Sequence, residues 1–386
     1  MPENFHIDMP EAVRNIIHTI EEHGFKAYAV GGCIRDSILG RNPDDWDITT
    51  SAVPSQIKTF FKRTVDTGIA HGTVTIMIDK TGYEVTTYRI DGEYEDGRHP
   101  KSVEFSDRLV DDLCRRDFTI NAMAYNDTDG FVDEFKGLDD LDAKIIRCVG
   151  EPELRFTEDA LRMMRAIRFS AQLGFTIDEA TWNAIKKLSP SISKISMERV
   201  HVELGKTLMS AHPDYVAQYS EAGLFAPILP VIDNALKSRY KRKILATLQH
   251  TPDNIYLRYA ALFITSTPDE AAKTLRALKL DNKTVDTVSK LVELSKMDIE
   301  ETEPAVRTAL NKYGRDFLPL WHELMMAVIQ ASEDITGISN PAKVKHLLTL
   351  KRLATDILAR GDCFTIKGLD LSLIHISEPT RPRLIS

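Results

Sequence analysis

VGGCIRDSILGRNPDDWDITTSA, from Val30 to Ala52, carries the pattern from which the fold follows. A strand ends at Gly31-Gly32, a helix-like segment follows, and Asp45-Trp46-Asp47 opens another strand, as in a small mixed α/β domain. Side chains alternate along a strand, so Asp45 and Asp47 are expected on one face, where they can share a pair of divalent cations. Two-metal phosphoryl transfer needs such a clamp, with ions roughly 4 Å apart. Hard oxygen ligands select Mg²⁺. Gly31 and Gly32 permit a tight turn whose backbone N–H groups can approach phosphate oxygens. Arg35 is placed to add charge-assisted hydrogen bonds, with Asp36 beside it to hold the arginine or the turn. A D-x-D alone is ordinarily a solvated strand edge or turn; the double glycine upstream turns the reading toward chemistry.

Outward from this stretch, the pattern predicts an N-terminal helix with Asp8 and Glu11 spaced as a capping box, Val13, Ile16, Ile17 and Ile20 on one face, and Gly24 as its stop. Phe25 to Val30, Trp46 to Thr50, Gly72 to Asp79 and Tyr83 to Arg89 are rich in β-branched and aromatic residues and read as strands of one sheet. DGEYEDGRHP, Asp91 to Pro100, reads as a mobile loop. From about Thr157 onward the apolar period is helical almost throughout.

The whole chain sets outer limits. Its 386 residues suffice for two to four modules, and 43% hydrophobic with 27% charged residues is an ordinary globular balance. A formal net charge of −8 argues against a protein that coats nucleic acid indiscriminately, so RNA contacts must come from local basic surfaces. Cys33, Cys114, Cys148 and Cys363 form no C-x-x-C pair and read as reduced thiols. No apolar run is long enough to span a bilayer and no secretory leader is evident, so the expected location is cytoplasmic, with no membrane partner.

Three further segments bear polar groups in telling places. Glu84, in GYEVTTYR, is a candidate third carboxylate, or equally an exposed strand glutamate. RRDFTINAMAY, Arg115 to Tyr125, sets Arg116, Asp117 and Asn121 among apolar residues, where each needs a partner. Arg116 can reach phosphates, and Asp117 and Asn121 can bond a sugar hydroxyl or each other; a salt bridge within the protein explains the charges equally well. TEDALRMMRAIRFSAQLGF, Thr157 to Phe175, reads as one helix capped by Thr157, with Glu158 in its first turn and Gly174 beyond its end. Asp159 and Arg162 then share a face, continued by Arg165 and Arg168, an arrangement otherwise typical of a surface salt-bridged helix.

The double glycine with D-x-D resembles polymerase-β-type nucleotidyltransferases, RRDFTINA resembles the RRDFTxNA motif of CCA-adding enzymes and bacterial poly(A) polymerases, and EDALR resembles the EDxxR motif of second-class CCA-adding enzymes. The resemblance spans roughly Phe25 to Leu208, where ISMERVHVELGKTL, Ile195 to Leu208, matches a further segment; there Glu198 and Arg199 look structural. It implies ribose and phosphate contacts for Arg116, Asp117 and Asn121, and base recognition by Asp159 and Arg162 with Glu158 in support. The chemistry agrees. Cytosine and adenine each present a ring acceptor beside an amino donor, which Arg162 and Asp159 complement, whereas uracil and guanine would set N–H against N–H at a cost of about 1–3 kcal/mol.

The implied fold is a nucleotidyltransferase head with a small mixed sheet and helices (1–148), followed by an all-α neck (149–208), body (209–300) and tail (301–370), shaped like a hook. The implied activity is addition of CCA to tRNA from CTP and ATP with two Mg²⁺ ions, and a homodimer is left open. The rivals are a poly(A) polymerase, an enzyme restricted to C or A, and a non-catalytic tRNA-binding protein; the loop at Asp91 to Pro100 goes, in the family, with use of CTP. Lys237, Arg239, Lys241, Arg242 and Lys243, and again Lys343, Lys345, Lys351 and Arg352, are either phosphate contacts or solvated helix faces. RYAALF, around Arg258, lacks the adjacent His-Asp of a metal phosphohydrolase. LSLIHISEPTR, Leu371 to Arg381, resembles translated read-through of a sequencing adapter, so residues 371–386 are expected to be non-native, with the authentic chain continuing past Asp370.

Overall fold

Ala27–Val30 (β1) is a four-residue run buried throughout, as a strand covered on both faces requires, and it lies within a seven-stranded mixed sheet. The computed structural model describes residues 6–92 and 103–360. The chain divides between Asn234 and Ala235 into two compact units.

The first unit begins with α1 (Glu11–Glu22), β1, α2 (Gly32–Ile38), β2 (Ile48–Thr50), α3 (Pro54–Phe60), β3 (Thr64–Gly68), β4 (Thr73–Ile78), β5 (Thr81–Thr87), β6 (Arg89–Asp91) and β7 (Val103–Phe105). It continues through α4 (Leu109–Cys114), β8 (Ala124–Asn126), β9 (Gly130–Val132), α5 (Gly137–Asp142), β10 (Ile145–Ile146), α6 (Pro152–Glu158) and α7 (Leu161–Leu173). β11 (Thr176–Ile177), α8 (Glu179–Leu188), α9 (Met197–Leu208), α10 (Ala217–Glu221) and most of α11 (Pro230–Lys237) complete it.

The sheet order is β3-β4-β5-β2-β1-β8-β9. β2 runs parallel to β5 and antiparallel to β1, which pairs antiparallel with β8. Tyr28, Val30, Tyr88, Leu113, Ala122, Ala124 and Val149 pack as a core cluster. Val13, Ile16, Ile17 and Ile20 of α1 are buried as its period predicts, each side chain contributing about 1.5–3 kcal/mol of transfer free energy. The mixed sheet and helical continuation expected of the chain are therefore present.

Several local expectations need correction. The capping box of α1 does not form: Pro10 is the N-cap, and Asp8 lies 3.8 Å from Arg14 instead. Asp45 and Asp47 precede β2, so strand alternation does not govern them, although the Asp47 carbonyl still accepts the Val30 N–H at 3.0 Å. β3, β8 and β9 join the sheet unforeseen, being short and, in β3, largely exposed. Asp79 and Lys80 link β4 to β5 at φ 47° and 70°, a two-residue turn with both positions left-handed and no glycine to announce it. The expected helix from Thr157 is two helices, with Thr157 in the last turn of α6 and Gly174 the left-handed C-cap of α7. Of the expected loop at Asp91 to Pro100, Asp91 ends β6 and residues 93–100 lie outside the described residues, as does the suspected non-native segment 371–386.

The second unit is helical among the described residues, with α12 (Lys241–His250), α13 (Ile255–Leu262), α14 (Pro268–Ala277), α15 (Asn282–Leu294), α16 (Glu303–Tyr313), α17 (Phe317–Thr336) and α18 (Pro341–Ala359). Side-chain oxygens of Asn254, Thr267, Asp281, Thr302 and Asn340 accept first-turn N–H groups, each such cap contributing about 1 kcal/mol. No helix of the described chain is long and apolar enough to cross a membrane.

Candidate active site

The backbone turns between β1 and α2 at Gly31, whose φ of 86° and ψ of −128° suit glycine alone. A Cβ there would lie 2.8 Å from Nη1 of Arg116, whereas one on Gly32 would meet only Arg35 Nη2, at 3.6 Å. Gly31 is thus demanded by the fold, while Gly32 leaves open the floor of a cleft of about 570 Å³. The cleft is lined by Gly32, Arg35, Asp36, Asp45, Asp47 and Arg168, together with Cys33, Arg41, Asp44, Phe169, Gln172 and Lys206. The second unit has a cavity of about 560 Å³ lined mainly by apolar side chains, including Trp321, Met325 and Ile329, and no carboxylate pair faces it. Phosphoryl chemistry fits the first cleft.

Arg35, buried on α2, donates from Nε and Nη2 to the Asp36 carboxylate at 3.0 and 2.8 Å and from Nη1 to Asn121 Oδ1 at 2.6 Å. Asp36 therefore holds it as expected of the sequence. Asp47 opens to solvent in the cleft, yet the protein around it pushes its carboxyl above the ordinary range; Arg116 opposes this and Asp45 adds to it. Burial likewise raises Glu84 on β5, helped by Asp47 and then Asp45. The three carboxylates thus feel one another, although among the described residues no three metal-ligating side chains stand close enough to enclose an ion by themselves.

The arginines of the RRDFTINA segment have partners within the protein. Arg115 and Arg116 pair with fully buried Asp112 at 2.6 and 3.1 Å. Burial alone would raise Asp112, but the two arginines outweigh it and hold it below the usual carboxylate range. Asp117 accepts from Asn121 Nδ2 at 3.1 Å and from Arg165 Nε at 2.7 Å; against the effect of burial, Arg165, Asn121 and Arg162 hold it well down. The internal pairing that the sequence allowed for these charges is present, and Nε of Arg116 is buried with no hydrogen-bond partner.

Asp159 and Arg162 do not pair with each other. Asp159 is extended, at φ −143° and ψ 104°, in the break between α6 and α7, and its Oδ1 accepts the Leu161 N–H at 3.0 Å. Arg199 on α9 grips both its carboxylate oxygens, at 3.3 and 2.6 Å. Arg162 donates instead to Glu158 at 2.6 Å and to the carbonyls of Arg155 and Arg115 at 3.2 and 2.9 Å. Arg168 turns inward and sits 2.8 Å from Glu203 of α9, close enough to pair but not aligned as a hydrogen bond. Of the row of charges expected on one helix face, Arg162, Arg165 and Arg168 stay on α7 but turn to Glu158, Asp117 and Glu203 respectively, while Asp159 stands off the helix. Arg199, which looks merely structural in the sequence, is the side chain that orients Asp159. Phe169 and Lys206, at the cleft wall, carried no sequence signal that distinguishes them from core and surface residues.

Residues 27–147 match the sequence family described as the poly A polymerase head domain, and residues 174–236 match one described as a probable RNA and SrmB-binding site of polymerase A. The chain is 49% identical over 230 residues to a CCA-adding enzyme of Limosilactobacillus reuteri, covering 58% of this chain and 56% of that protein. It therefore matches only about half the length of that relative. A CCA-adding enzyme of Streptococcus suis is 38% identical over 359 residues, covering 91% of this chain and 84% of the relative. The crystal structure of the Bacillus stearothermophilus CCA-adding enzyme in complex with CTP superposes with a TM-score of 0.72 at 32% identity, covering 96% of this chain and 88% of that one.

Proposed function

Since the chain belongs to the CCA-adding enzyme family, we propose that it rebuilds or repairs the 3′ end of tRNA, adding C, C and A from CTP and ATP without a nucleic-acid template. The observation that carries this reading is the single cleft lined by Gly32, Arg35, Asp45 and Asp47 from the head and by α7 from the neck. In this reading residues 1–148 perform transfer, 149–208 select the base, and 209–300 with 301–370 hold the tRNA, all in the cytoplasm.

The tRNA 3′ hydroxyl attacks the α-phosphate, a new ester bond forms, the bond to the β-phosphate breaks, and pyrophosphate departs while the hydroxyl proton passes to water. Gly32 and Arg35 receive the triphosphate, with Arg116, Asp117 and Asn121 near its ribose and phosphates. The crowding of negative charge among Asp47, Asp45 and Glu84 is the donor chemistry that a hard divalent cation would relieve. Asp45 and Asp47 would hold Mg²⁺, with Glu84 in support; bound there it would activate the hydroxyl and neutralise the leaving pyrophosphate. Arg162 donates to the ring acceptor of cytosine or adenine and Asp159 accepts from the amino group, with Glu158 and Arg199 holding these two side chains on separate tethers.

Incubating a tRNA that lacks its terminal CCA with single labelled nucleotides, in Mg²⁺, tests the reading. The expected product is C, C, then A, and Asp45→Ala should incorporate neither nucleotide. Unlimited A addition without CTP would identify a poly(A) polymerase instead.

A further inference from the structure

Phe169 of α7 sits where head and neck side chains meet. Its ring is 5% exposed and has three guanidinium carbons around it, those of Arg35 at 5.0 Å, Arg165 at 5.2 Å and Arg168 at 3.8 Å from the centroid. Phe118 packs edge-on against it at 5.7 Å. Three like charges gathered on one ring repel, so each needs a counter-charge, and each has one: Asp36, Asp117 and Glu203. The ring adds its negative π face, which attracts cations within about 6 Å. Hydrogen bonds run from Arg35 to Asn121, from Asn121 to Asp117, and from Arg165 to Asp117. Arg35 and Arg165, the two ends of that chain, both rest on Phe169.

We propose that Phe169 is a positioning residue for the incoming nucleotide: its aromatic face fixes the Arg35 guanidinium relative to α7, so that the triphosphate end and the base end are held in one frame. The inference rests on the reading of this cleft as the nucleotide site. A leucine or methionine would fill much of the same volume but present no π face, leaving Arg35 bonded to Asp36 and Asn121 without a seat against α7.

The test compares full-length wild type with Phe169→Leu, Phe169→Met and Phe169→Tyr, measuring CTP and ATP affinity by calorimetry in Mg²⁺, KM for each nucleotide and for tRNA, and Tm. Phe169→Leu and Phe169→Met should weaken CTP and ATP about tenfold, a factor worth ~1.4 kcal/mol, with KM for tRNA unchanged. Phe169→Tyr should stay within about twofold of wild type. Mere loss of folded protein would lower the active fraction and kcat without moving an affinity or a KM. Equal weakening by Tyr, Leu and Met, or wild-type affinity in Leu and Met, overturns the proposal. A wild-type protein that binds CTP yet adds none to tRNA would instead overturn the functional reading and leave the comparison of affinities intact.

Discussion

Asp112 has no exposed surface, and its ionised form persists because Arg115 and Arg116 stand at 2.6 and 3.1 Å. Neutralising it would take a buried counter-charge from Arg115 and Arg116, so Asp112→Asn should cost about 2–3 kcal/mol in denaturant unfolding at pH 7. The sign of the pH dependence follows from the lowered carboxyl. The folded state binds that proton less readily than the unfolded chain, so the pair's stabilisation is present above the ordinary carboxylate pKa of about 3.9 and lost as pH falls through the folded value. Wild type should therefore lose more stability than Asp112→Asn between pH 5 and strong acid. Equal acid sensitivity in the two proteins would contradict this account. At this scale the sequence is partly legible: polar groups in an apolar segment announce that partners exist, but Asp112, three residues before Arg115, is identified only by the fold.

The break between α6 and α7 sets the geometry of the proposed base edge. Apolar periodicity runs on from Thr157, so the sequence predicts one helix; at the break the extended Asp159 accepts the Leu161 N–H and is gripped by Arg199, 40 residues further on. A partner that distant leaves no trace in a local pattern. Arg162→Ala should loosen discrimination between CTP and UTP by about tenfold or more, since a mismatched donor in the site costs on the order of 1–3 kcal/mol. Arg199→Ala should loosen it in the same direction without touching the base itself, measured as the ratio of kcat/KM for CTP and UTP. Unchanged ratios in both variants would refute the protein edge. Shorter elements escaped the sequence for another reason: β8 and β9 have three residues each, too few for an alternation to register.

Over the whole molecule a net charge of −8 must coexist with a polyanionic partner in the proposed reaction, so the cations that meet tRNA have to be local. Lys241, Arg242 and Lys243 open α12 in the second unit. Replacing these three with glutamine should raise KM for tRNA and flatten its dependence on salt by up to about three counterions' worth, while KM for CTP stays unchanged. An unaltered salt slope would return this run to the role of a solvated helix face. The fold class was readable from the change of hydrophobic period near Thr157, and the cleft from its glycines and aspartates. The division after Asn234 was not, because helix follows helix there with no change in period.

Gly31 carries a different kind of information. With φ at 86° and Arg116 Nη1 2.8 Å from where a Cβ would stand, no other residue preserves both the turn and the arginine. Position 31 is therefore a lock on the entry to the cleft: any side chain placed there strains the backbone by about 1–3 kcal/mol and pushes the Arg116 guanidinium aside while leaving both aspartates untouched.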